Sequence, residues 1–69
     1  MEYRAHIMNT DDSFQCETPE ELIEWLRTLR HYIDEDRVMG WANGDMKHMR
    51  AFRYHPGRET IVIQLDKED

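Results

Sequence analysis

Sixty-nine residues make one small domain with no room for a second, and a chain this short buries only about 60% of the surface its unfolded form exposes. Charged residues are 35% of it and hydrophobic ones 39%, a globular mixture rather than a disordered one, too small for a cleft walled by two lobes. The net charge of −6 argues against a simple duplex-DNA binder, which bulk phosphate would repel.

No apolar run approaches the ~20 residues of a membrane span. Cys16 is the single cysteine and cannot form an internal disulfide. Glu2 and Arg4 interrupt any secretory apolar segment, so an intracellular, cytoplasmic chain is expected. The charge is unevenly laid out. Residues 1–36 carry −7, residues 37–58 carry +4 with Asp45 their one acid, and residues 59–69 carry −3.

Tyr3, Ala5 and Ile7 alternate with Glu2, Arg4 and His6, the period of a half-buried strand. Asn9-Thr10-Asp11-Asp12 is a cluster of turn formers. Alternation resumes with Phe14 and Cys16 inward, so residues 2–17 read as a hairpin. Thr18-Pro19-Glu20-Glu21 starts a helix: a hydroxyl cap, a proline where no N–H is needed, and a glutamate three residues on. Leu22, Leu26, Leu29 and Ile33 make one helical face. Asp34-Glu35-Asp36 then sets three acids against the negative end of the helix dipole, so the helix is expected to fray near residue 35.

Asn43-Gly44 carries the strongest short hairpin signal in the chain. It joins an expected strand over 38–42 to another over 45–55. Pro56-Gly57 turns the chain into a last strand over 59–65, where Ile61, Ile63 and Leu65 alternate with Val62 and Gln64. Residues 66–69 read as a mobile acidic tail beyond a domain of residues 1–65. The expected fold is α+β: elements in the order β-β-α-β-β-β, one antiparallel sheet, and a single helix on one face.

That leaves the other face bare, and register decides what it displays. With a two- or four-residue loop at Pro56-Gly57, Trp41, Met46, His48, Arg50, Phe52 and Tyr54 join Ile61, Ile63 and Leu65 beneath the helix. A three-residue loop instead joins the isoleucines to Met49 and Ala51 and bares a basic-aromatic surface, the composition that stacks single-stranded nucleic acid. The first register gathers the larger apolar volume and is favoured. Lys47, Met49, Arg53 and His55 then line the bare face with Arg4 and His6.

Four histidines and one cysteine lack the spacing of a zinc site, so no metal or cofactor is expected. Cys16 reads as a small core residue. The clustered carboxylates sit in turns and at helix ends, without the dry pocket that general acid–base work needs. The chain therefore reads as a non-enzymatic protein-binding module. Its candidate partner-binding residues are Arg4, His6, Lys47, Met49, Arg53 and His55 on the sheet, with Glu20, Glu21 and Glu24 as an acidic surface for a basic partner. The alternative is a nucleic-acid-binding accessory protein using the basic strand 47–58. Two bare faces packing back to back would also give a homodimer.

In outline, the hairpin of residues 2–17, the helix capped by Thr18-Pro19-Glu20-Glu21, and the hairpins at Asn43-Gly44 and Pro56-Gly57 resemble small phage-encoded inhibitor proteins of the anti-CRISPR kind. The resemblance implies stoichiometric binding to a larger host protein or nucleoprotein complex, blocking its nucleic-acid or partner site. It carries over no functional residue.

Overall fold

The alternation at the N-terminus builds a hairpin of β1 (Glu2–Ile7) and β2 (Ser13–Cys16), paired from Tyr3 opposite Cys16 to His6 opposite Ser13. Tyr3, Ala5, Ile7 and Cys16 are buried, as their spacing requires. The computed structural model describes residues 1–8, 10–29, 33–53, 57 and 60–68. Helix α1 spans Pro19–Thr28. The Thr18 hydroxyl accepts the Glu21 amide at 3.2 Å, the N-cap bond, and donates to the Glu21 carboxylate at 3.0 Å, so Glu21 turns back onto the Thr18 hydroxyl rather than onto its amide.

The next segment departs from expectation. Glu35–Ala42 is a second helix, α2, rather than a strand. Asp34 caps it, its carboxylate accepting the Arg37 amide at 3.1 Å, and Glu35 and Asp36 occupy its first turn. The acids read as destabilising the end of one helix instead stabilise the start of another, where the dipole favours them. Val38, Trp41 and Ala42 follow at helical spacing and are buried. Asn43 has φ −95° and ψ 0° and closes this helix. A type I′ hairpin needs positive φ at that position, so the Asn43-Gly44 hairpin is not formed.

Strands β3 (His48–Arg53) and β4 (Ile61–Glu68) complete one antiparallel sheet in the order β2-β1-β4-β3. The fold is α+β, and the described residues form two helices, not one, on the same sheet face. Ala5, Ile7, Ile63 and Leu65 of the sheet share a core with Leu22, Ile23 and Leu26 of α1, with Ile33, and with Val38 and Trp41 of α2. Phe14 stacks on Trp25 at 5.1 Å, and the Tyr3 ring meets Trp41 edge-on at 6.1 Å; such aromatic pairs add to simple burial.

Two further expectations are corrected. Met49 pairs with Leu65 and Ala51 with Ile63, so β3 takes the register that bares Arg50 and Phe52. The favoured register had relied on Trp41 to fill the covered face; Trp41 does fill it, but from α2. Secondly, β4 runs through Asp66, Lys67 and Glu68 where a mobile tail was expected. Lys67 is 5% exposed. Its ammonium donates to the carbonyls of Trp41 at 2.5 Å, Gly44 at 2.7 Å and Ala42 at 3.4 Å. It thereby caps the negative end of α2 and ties the strand end into the fold.

Candidate functional site

With both helices on one side, no element among the described residues covers the opposite face of the sheet. Four cross-strand rows form that face, beginning with Glu2 and Glu68 at one end. Gln15, Arg4, Asp66 and His48 make the second, Ser13, His6, Gln64 and Arg50 the third, and Met8, Val62 and Phe52 the fourth. Arg4 ties the first two rows together by charge. Arg4 contacts Glu2 at 2.6 Å and Glu68 at 3.5 Å, and His48 Nδ1 meets Asp66. The Glu2 carboxylate, chiefly through its hydrogen bond, pushes the Arg4 guanidinium up from its ordinary value. Arg50 reaches the Gln64 side chain at 3.4 Å. Among the described residues no carboxylate lies within ion-pair distance of it. The corner beyond is apolar, with Phe52 52% and Met8 37% exposed beside half-buried Val62.

The face thus holds two arginines and two histidines against Glu2, Asp66 and Glu68. It is polar and nearly charge-balanced at one end and apolar at the other. A shallow hollow of about 350 Å³ lies over Arg4, His6, Ser13, Gln15 and Asp66. Among the described residues no three His, Cys, Asp or Glu side chains converge as metal ligands do, and no helix is long and apolar enough to cross a membrane.

The sequence-predicted residues divide. Arg4 and His6 sit on the bare face as expected. Lys47 is exposed immediately before β3. Met49 is half-buried against the core on the helix side, because its register partner Leu65 faces the helices; it is not a bare-face residue. Arg53 is placed by its backbone, opposite Ile61, and His55 lies outside the described residues. Glu20, Glu21 and Glu24 are exposed on α1, in the other layer, and Glu21 is engaged in the cap. The nine residues therefore do not form one surface.

Arg50, Phe52 and Gln64 were missed because the favoured register hid Arg50 and Phe52 beneath the helix. The alternative register of β3, with Ile61, Ile63 and Leu65 on the face of Met49 and Ala51, is the one that places Arg50 and Phe52 correctly. Cys16 is a buried free thiol donating to the Thr18 carbonyl at 3.4 Å. Burial, and then the Glu21 charge, push its pKa up, the opposite of what a nucleophile needs. Compared with protein-family models, with curated proteins and with solved structures, the chain matches none.

Proposed function

We propose that this protein is a non-enzymatic binding module that acts by stoichiometric contact with a larger protein or nucleoprotein assembly, through the bare face of its sheet. The observation that carries this reading is the apolar corner of Phe52, Met8 and Val62 on an otherwise polar, uncovered four-stranded face. An aromatic anchor ringed by polar groups and an arginine is the composition of a protein-binding surface. The likeness of the N-terminal hairpin and capped helix to phage inhibitors adds an inhibitory sense to the binding, in the cytoplasm of a host.

A nucleic-acid role through the basic strand 47–58 is the second reading, favoured by Arg50 and Phe52 lying side by side on one face. Three carboxylates on that face oppose it. The test is a photo-crosslinking amino acid placed at Phe52, at His6 and at Glu24, expressed in the native host. A single protein adduct from the two sheet positions and none from Glu24 is the expected result. No adduct, or equal adducts from all three, refutes the reading. Salt-dependent retention of single-stranded oligonucleotides, lost in Arg50→Glu, would move the assignment to nucleic acid.

A further inference from the structure

The outer edge of β3 offers a second kind of contact, one made by backbone. The Lys67 amide donates to the Lys47 carbonyl at 3.0 Å. Positions 47 and 67 are therefore a hydrogen-bonded pair, and so are Met49 with Leu65 and Ala51 with Ile63, two residues further on each time. The N–H and C=O groups of His48, Arg50 and Phe52 must then point away from β4. Because β3 ends the sheet, no described strand receives them.

Beside this edge lies a groove of about 370 Å³ between α2 and β3, walled by Arg37, Trp41, Met46, Met49 and Arg50. Met46 is 72% exposed there. A strand added along β3 would send alternate side chains into this groove and onto the bare face beside His48, Arg50 and Phe52. The charge selects the occupant. Lys47, Arg50, Arg37 and Asp45 leave this side of an acidic molecule basic. A second copy is disfavoured: β3 paired antiparallel with its own copy about Arg50 sets arginine against arginine. Charged edges block such self-pairing while remaining open to an acidic strand.

Resting on the reading of this chain as a binding module, we propose that β3 captures an extended acidic segment of the partner protein. The segment adds as a fifth strand, with aliphatic side chains entering the Met46–Met49 groove and carboxylates lying against Arg50.

The probe is the capped hexapeptide (Ile-Glu)3, with (Ile-Lys)3 as its charge-reversed control, titrated into the full-length isotope-labelled protein by NMR. The acidic peptide should shift the amides of His48, Arg50 and Phe52 and slow their hydrogen exchange, and the basic one should not. Arg50→Glu should weaken binding at least about tenfold. So should a chemically synthesised chain N-methylated at the Arg50 amide, which keeps the charge and removes one outward donor. No binding at about 1 mM peptide overturns the edge proposal, as does binding indifferent to N-methylation. The sheet-face reading fails separately, when crosslinkers at Phe52 and His6 give no adduct. If the Phe52 and His6 adducts form while the N-methylated chain binds the peptide as well as the parent does, the face is retained and the edge discarded.

Discussion

Replacing Lys67 with methionine keeps the length of the side chain and removes the ammonium. The Trp41 and Ala42 carbonyls at the end of α2 and the Gly44 carbonyl just beyond it then lose their donor, two of them from short contacts of 2.5 and 2.7 Å. A hydrogen bond to a charged group contributes about 1.5–3 kcal/mol net. The lower figure suits a pair sharing one donor, so about 3 kcal/mol is lost from the two short contacts. The Lys67 ammonium also lies 5.1 Å from the centre of the Trp41 ring, a contribution of about 1 kcal/mol. Methionine packs on the same indole and no longer carries a charge that must be desolvated, returning about 1–2 kcal/mol. The expected net loss is about 2–3 kcal/mol, against a total near 3–10 kcal/mol for a domain of this size. In thermal unfolding followed by circular dichroism, the midpoint should fall by about 10–20 °C. Lys67→Arg, which keeps a charge but not the compact ammonium, should fall between. A methionine variant within about 0.5 kcal/mol of the parent would show that the C-terminal strand is not anchored in this way.

Other expectations test single parts. Asp34→Ala and Thr18→Ala each remove one N-cap and should each cost about 1 kcal/mol in urea unfolding; an unchanged midpoint for Asp34→Ala would deny the second helix its start. Gly57 has φ +80°, so Gly57→Ala should cost about 1–2 kcal/mol, read the same way. Cys16 should react with a thiol reagent far more slowly in the native protein than in urea, and equal rates would place it at the surface. Arg27 grips Glu35 through two hydrogen bonds, of 3.0 and 2.9 Å. Those bonds hold the Glu35 carboxyl below its ordinary range. A depressed carboxyl contributes stability above its unfolded pKa and loses it as pH falls through the lowered one. Comparing urea midpoints near pH 7 and about pH 3, Glu35→Gln should lose less on acidification than the parent does; an equal loss would show the pair to be inert.

Where one residue type in one pattern had a single physical outcome, the sequence was readable. The alternation of β1, the Thr18 cap and the Ile61–Leu65 alternation all fall where expected, because each is a local requirement met within a few residues. The middle of the chain was not readable in the same way. Asp34-Glu35-Asp36 has opposite energetic signs at the end of one helix and the start of the next, and composition alone does not say which helix owns the acids. Val38-Met39-Gly40-Trp41-Ala42 contains apolar residues at both strand and helical spacing. Asn43-Gly44 is compatible with a hairpin only if strands flank it, and the flank on one side is α2. One ambiguity leads to another: with Trp41 in a strand, the register that covers Arg50 and Phe52 is the better filled, whereas with Trp41 in α2 the covered face is filled from the helix and both residues are bare. Lys67 was invisible for another reason. A lysine among acids near a chain end reads as solvated, and only the tertiary approach of α2 supplies the carbonyls that hold it inside.

These corrections bear on function through one connection. Gly44, Asp45 and Met46, in the link from α2 to β3, line the groove beside the free edge, and the Trp41, Ala42 and Gly44 carbonyls at the head of that link are held by Lys67. The same strand, β4, pairs with β3 and carries Lys67, so one element fixes both the edge and the groove wall. An edge strand whose neighbouring wall is tied to its own sheet is organised before a partner arrives, and less ordering entropy then opposes binding. Lys67→Met should therefore weaken the acidic hexapeptide as well as lower the unfolding midpoint, even at a temperature where the variant remains folded. The same peptide affinity in the folded variant would separate the two effects and show that the groove wall holds its place without the lysine.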